Sequence, residues 1–240
     1  GASNVVDRLA ASVGDLVAVE PVFQAVADVP HGGVLLALPA LLAVGLLHQA
    51  HRYFQLPKGY YGLESLFLML AFLALARLPS LERLRYYAPG EWGKLLGLDR
   101  IPEVRCLRNK VSQLSQDEAP QRWAGTLSEE WMEQNSELAG TLYVDGHVRL
   151  YHGKKTKLPR RFVARQRLCL RGTTDYWVND ALGQPFFSIE RTIDHGILEA
   201  IENDVVPRLL SDVPGQPTKD ELKNDPYRSR FLIIFDREGY

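Results

Sequence analysis

The 240-residue chain is poor in several things that would assign it at once. It has two cysteines, Cys106 and Cys169, far apart and without metal-ligand spacing. That excludes a disulfide framework and a cysteine-based zinc module, and suits reduced thiols in a cytoplasmic protein. No charged leader with an apolar core and a cleavage site opens it. Its apolar runs, Val34 to Leu47 and Leu66 to Ala76, fall short of the roughly 20 residues a membrane-spanning helix needs, and Pro39 interrupts the first. They are expected to be two buried helices packed on each other. The chain also lacks net charge, at −1, which excludes a uniformly basic nucleic-acid coat. A hydrophobic content of 46% leaves no case for general disorder.

Charge is absent overall but not locally. Between Arg149 and Arg171 there is no Asp or Glu, and the stretch holds Arg149, Lys154, Lys155, Lys157, Arg160, Arg161, Arg165, Arg167 and Arg171. Such a block calls for an anionic partner or for full solvation, and a solvated hairpin loop is the simpler alternative.

Helical signals dominate the first half. Apolar spacing from Val5 to Val29 predicts one or two helices. Leu81 to Leu114 is more polar and still helical, broken at Ala88-Pro89-Gly90. Within it, a short helix over Glu91–Leu96, a turn at Gly97–Arg100 and a helix over Glu103–Leu114 give a helix-turn-helix outline. The second of these helices carries Arg105, Arg108 and Lys110. An ordinary helical hairpin with a basic face has the same outline. Gln116–Gln121 reads as a linker, and Ser128–Leu138 as a helix capped by Ser128.

The texture changes near Gly140. Thr141–Asp145, continued or returned by Val148–Tyr151, is strand-like, as are Leu168–Val178 and Pro185–Ile189. Gly196–Leu210 has helical apolar spacing. Phe231–Phe235 is a continuous apolar run that suits a strand buried on both faces, and Asp236 ends it. The fold class is therefore α+β: an α-helical region over residues 1–138, then strand, strand, strand, helix, strand over 139–240. In that order the last strand can lie parallel beside the first. Asp145 and Asp236 would then project from one sheet edge, and paired carboxylates there suit a hard divalent cation.

Tyr143-Val144-Asp145-Gly146-His147-Val148, Tyr151-His152-Gly153 and Phe235-Asp236-Arg237-Glu238-Gly239-Tyr240 resemble the motifs of bacterial insertion-sequence transposases of the DDE class. The stretch from Pro89 to Arg105 also resembles such proteins. The resemblance implies the N-terminal part of an RNase H-like catalytic core and metal-dependent DNA cleavage and strand transfer. It implies Asp145 and Asp236 as the first two catalytic, metal-binding carboxylates, with Mg²⁺ or Mn²⁺ as cofactor and transposon-end DNA as partner. Arg105, Arg108, Lys110, Arg149, Lys154, Lys155, Lys157, Arg160, Arg161, Arg165 and Arg167 are the candidate DNA contacts. The family pattern includes a third acidic residue on a later helix, and Glu238 is too close to Asp236 to be it. The expectation is thus a fragment or truncated form, a poor nuclease alone, in the bacterial cytoplasm with the nucleoid. Homo-oligomerisation is also expected, with no membrane as partner. Two other classes stay open: a non-catalytic DNA-binding protein derived from a transposase, and a membrane-associated helical protein. Glu190, Glu199, Glu202 and Asp204 could supply a further carboxylate near the metal site, although Glu199 and Glu202 read better as the solvated face of their helix; His48 and His51 are read as surface histidines, and the four tryptophans as mostly core.

Overall fold

A computed structural model of the chain describes residues 4–154, 156–164 and 166–236. Lys155, Arg165 and the motif residues Arg237 to Tyr240 lie outside the described residues. The protein is α+β, and its chain divides into two compact units, residues 1–123 and 124–240. The boundary falls inside one helix.

The first unit contains α1 (Val5–Ser12), α2 (Leu38–Ala43), α3 (Ala50–Tyr53), α4 (Leu63–Leu75), α5 (Pro89–Lys94), α6 (Val104–Leu114) and the start of α7 (Ala119–Gln134), with 3₁₀ turns at Gly32–Ala37 and Leu81–Tyr86. Its core is built on α4, whose Leu66, Phe67, Met69, Phe72 and Leu73 are all buried. Trp92, Leu95 and Leu107 join them, each worth roughly 1.5–3 kcal/mol when fully buried. Phe54, Phe67 and Trp123 meet edge to face, at centroid separations of 5.1 to 5.6 Å.

Three expectations change in this unit. The run Val34 to Leu47 is not a buried helix: it is a 3₁₀ turn and a short helix with Pro39 in its first turn, and Leu36 is 88% exposed. The stretch 13–31 is not helical beyond α1. Val17 to Val22 instead runs extended, with Gly59 N donating to Val17 O, Val19 N to Tyr60 O and Val22 N to Gly97 O. These bonds to distant backbone satisfy groups that a helix would have paired locally. Gln116–Gln121 is no linker, because α7 begins at Ala119; Ser128 lies in its interior, fully buried, and does not cap it.

The second unit holds a five-stranded sheet of β1 (Thr141–Leu150), β2 (Arg160–Val163), β3 (Leu168–Asn179), β4 (Pro185–Thr192) and β5 (Leu232–Phe235). β3 is antiparallel to β1, β2 and β4, and β5 runs parallel to β1. Between β4 and β5 come α8 (Ile197–Ala200), one π turn (Ile201–Val205), α9 (Val206–Asp212) and α10 (Lys219–Asn224). The π turn ends two residues before Pro207, which lacks the N–H a regular helix would use there. Leu142, Val144, Tyr176, Val178 and Phe187 on one sheet face pack with Met132, Ala200, Val205 and Leu209 from the helices. The expected order of strand, strand, strand, helix, strand is present, with β2 as an addition inside the basic stretch.

The second sheet face is open. Side chains alternate along a strand, so Tyr143, Asp145 and His147 share a face with Trp177, Leu232 and Ile234, and all six are exposed. β5 pairs only with β1 among the described strands. Its apolar run is therefore not buried on both faces, and Leu232 is 59% exposed.

Candidate functional site

β1 and β5 are paired from Thr141↔Leu232 to Val144↔Phe235. Asp145 and Asp236 are the residues that follow the last pair, one on each strand. Parallel strands in register turn equivalent positions to the same face, so the pairing that sets the two aspartates side by side also gives them one face. Asp145 is not at the end of its strand: β1 continues to Leu150, and Asp145 sits opposite Trp177 of β3. Both aspartates are exposed.

Two further acids of this face, Asp175 and Glu190, are tied to one arginine. Arg149, two positions beyond His147, holds Asp175 through Nε at 2.6 Å and Nη2 at 2.7 Å, and Glu190 through Nη2 at 2.6 Å. Its hydrogen bond to Asp175 raises the guanidinium pKa above its ordinary value. On the helical segment after β4, Asp204 is bound by Arg191, and Glu199 faces His195 at 3.5 Å. Among the described residues no group of three or more His, Cys, Asp or Glu side chains is arranged to hold a metal ion. What Asp145 and Asp236 offer is two hard oxygen donors. That set fits Mg²⁺ or Mn²⁺ when phosphate oxygens and water complete the coordination.

The basic stretch separates into parts. Arg149 belongs to the acid cluster just described. Lys154 and Lys157 are exposed in the loop after β1. Arg160 and Arg161 lie on β2, and Arg161 Nη1 reaches His195 O at 3.5 Å. Arg167 sits in the turn before β3 with φ of 54°.

In the first unit α6 carries the three other basic candidates. Arg108 pairs with Glu82 at 3.1 Å, and Lys110 Nζ donates to Tyr61 O at 3.2 Å. Arg105 is exposed with no ion pair to a described residue. It shares its face, at i, i+4 and i+8, with Asn109 and Gln113, which are also exposed. Lys58 and these three line a groove of about 430 Å³. Arg, Asn and Gln are the side chains that pair bidentately with guanine and adenine edges. Asn109 and Gln113 carry no charge, so counting basic residues along the helix passes over them; the four-residue spacing from Arg105 is the signal that finds them. α5 and α6 are joined by a long connector, residues 95–103, not the turn of about three or four residues of a tight helix-turn-helix.

That connector is held by a half-buried network. The Asp99 carboxylate accepts from Arg8 Nε at 2.9 Å and Nη2 at 2.6 Å, from Tyr60 OH at 2.6 Å and from Arg100 N at 2.8 Å. The Arg8 guanidinium lies 3.9 Å from the centre of the Tyr60 ring. Burial alone pushes the Asp99 carboxyl up, but these bonds and the Arg8 charge outweigh it and hold it at about 2. Gly97 turns the chain with φ of 67°. At Gly93 a Cβ would lie 2.6 Å from the Arg100 Cα, so only glycine allows α5 this close to the connector.

The remaining candidates stay at the surface. His51 faces Glu64 at 3.5 Å, and both are exposed. Trp92 is buried, whereas Trp177 is 40% exposed beside Asp145. No helix of the described residues is long and apolar enough to cross a membrane. A family model described as a transposase protein matches residues 1–240. No curated protein and no solved structure matches the chain.

Proposed function

The chain belongs to that transposase family, and from this premise we propose that it is a DDE-class DNA transposase of a bacterial insertion element, with the sheet unit as the N-terminal part of an RNase H-like core. The observation that carries the reading is the parallel pairing of β1 with β5, whose last partners, Val144 and Phe235, are each followed by an aspartate. Asp145 and Asp236 would hold a divalent cation, Mg²⁺ or Mn²⁺, at that edge. When bound, the ion would activate the attacking oxygen and stabilise the leaving oxygen of a phosphodiester. Lys154, Lys157, Arg160, Arg161 and Arg167 would neutralise the DNA backbone nearby, which makes binding salt-dependent. Arg105, with Asn109 and Gln113, would read base edges at the transposon end. The exposed apolar side chains Tyr143, Trp177, Leu232 and Ile234 support self-association through the open sheet face.

The test is metal binding and plasmid nicking with the full chain. Mn²⁺ should bind with a stoichiometry of about one or two ions, and Asp145→Asn and Asp236→Asn should each abolish it while DNA binding persists. Nicking that is robust and unchanged in Asp145→Asn would overturn the catalytic assignment. DNA binding with neither metal binding nor nicking would identify the chain as a non-catalytic DNA-binding relative.

A further inference from the structure

The first four residues of β3 pair with β2, forming a two-stranded ribbon at the heart of the basic stretch, whose inner end is anchored where Tyr151 N donates to Arg171 O at 2.9 Å. Its register is Arg160↔Arg171, Arg161↔Leu170, Phe162↔Cys169 and Val163↔Leu168. Cross-strand partners share a face, and so do residues two apart. One face of the ribbon therefore carries Arg160, Arg171, Phe162 and Cys169. The two arginines stand directly opposite each other. Like charges in that position repel, and neither arginine makes an ion pair with a described residue. Phe162, two residues further out, is 60% exposed.

A lone exposed phenylalanine means little, and a lone arginine pair means only a solvated patch. Their conjunction is more specific. Two cations that face the same way need an anionic partner to relieve them, and a helical phosphate backbone supplies repeated anions on both sides of a groove. An apolar ring ahead of such a pair has a known physical use: inserted at a base step, it unstacks the bases and bends the duplex while the flanking cations hold the phosphates. The chain spans this ribbon without a carboxylate from Arg149 to Arg171, so nothing on it repels a phosphate.

We infer that the β2–β3 ribbon is a wedge for double-stranded DNA, with Phe162 entering a base step and Arg160 and Arg171 clamping the phosphates beside it. This deepens the transposase reading and rests on it, because it assigns the ribbon of that protein a deformation step distinct from general backbone contact. A deformable or mismatched step is the preferred target, since unstacking costs least there.

The experiment uses the full chain and a short duplex carrying 2-aminopurine at one mismatched step. Wild-type protein should raise the 2-aminopurine fluorescence on binding. Phe162→Ala should remove the rise and weaken binding about tenfold, within the 5- to 150-fold range of base–aromatic stacking. Arg160→Ala and Arg171→Ala should each lower the slope of log affinity against log salt by about one. Phe162 is exposed, so these variants should keep the wild-type circular dichroism. Cys169 lies opposite Phe162 and is exposed, so a duplex with a disulfide tether at the mismatch should be captured by wild type and not by Cys169→Ser. Binding of DNA with unchanged affinity and unchanged fluorescence in Phe162→Ala overturns the wedge and leaves the transposase reading intact. Loss of self-association in Phe162→Ala with DNA deformation unchanged also overturns it, and makes the ribbon a contact between copies. Failure of wild type to bind any duplex at low salt overturns the transposase reading itself.

Discussion

Asp99→Asn tests whether the connector to α6 is held electrostatically. The substitution keeps the shape of the side chain and removes its charge. In the folded protein the Asp99 carboxyl is held at about 2 against an ordinary 3.8. Each pH unit of that difference is worth about 1.36 kcal/mol, so the charged form contributes on the order of 2 kcal/mol to folding at neutral pH. The Asp99 side chain is 7% exposed and that of its partner Arg8 24%, so solvent screening makes this an upper value. The folded pKa is depressed, so the stabilisation is fully present above about 3.8 and is lost as pH falls through about 2. Urea unfolding of the full chain at pH 7, followed by hydrogen exchange at the amides of α1 and residues 95–103, should show Asp99→Asn less stable by about 2 kcal/mol. The gap between wild type and variant should narrow steadily from pH 4 to pH 2. Equal stability at pH 7, or a gap that stays constant down to pH 2, would refute the charge-based account and leave Asp99 as a neutral hydrogen-bond acceptor.

Other expectations follow from single contacts. Leu107→Ala should cost about 2–5 kcal/mol of unfolding free energy, since Leu107 is fully buried. Gly93→Ala should cost about 1–3 kcal/mol by overpacking against Arg100, and should weaken DNA binding through α6; a thermal melt and a DNA titration read both. Arg149→Ala should destabilise the sheet unit by about 1–3 kcal/mol because it strands Asp175 without its partner, whereas Arg160→Ala should leave the melting temperature unchanged. Arg105→Ala should relax sequence preference in a selection from randomised duplexes, and Arg108→Ala, whose guanidinium is tied to Glu82, should not.

How much of this was legible in the sequence differs between the two units. The sheet unit reads well because strand signals are local: alternation, turn residues and apolar runs identify β1, β3, β4 and β5 in the expected order, and only β2, inside the basic stretch, goes unannounced. Asp145 and Asp236 could be paired in advance because one crossover topology makes the first and last strands neighbours. The exposure of β5 was not legible, since a continuous apolar run is the same whether a covering layer is present or not. The helical unit reads less well. Val13, Leu16 and Val17 recur at helical spacing, yet Gly14 takes a φ of 82° and the following segment bonds to residues 59, 60 and 97. Those partners are far away in sequence, so no local pattern announces them. Ser128 followed by two glutamates resembles a helix start for the same reason: the signal is local, and the tertiary packing that buries its hydroxyl overrides it.

Charge in the basic stretch shows where a sequence count stops being informative. Nine cationic residues without an acid look like one binding surface. Ion pairing divides them. Arg149 is neutralised by Asp175 and Glu190 from the neighbouring strands, because β3 and β4 bring acids from outside the stretch to its first residue. Arg160 and Arg171 are brought opposite each other by the β2–β3 register, with no described acid beside either. On α6 the same sorting leaves Arg105 unpaired and ties Arg108 and Lys110 to Glu82 and Tyr61. A cation already matched by an internal carboxylate gains little from a phosphate, because the pair must be broken first; an unmatched one gains the full interaction. DNA affinity should therefore depend on Arg105, Lys154, Lys157, Arg160, Arg161, Arg167 and Arg171, which meet no described carboxylate, more than on Arg149 and Arg108, which do. Arg171 is a residue whose importance comes from its strand partner, and the run of charges it closes gives no sign of that.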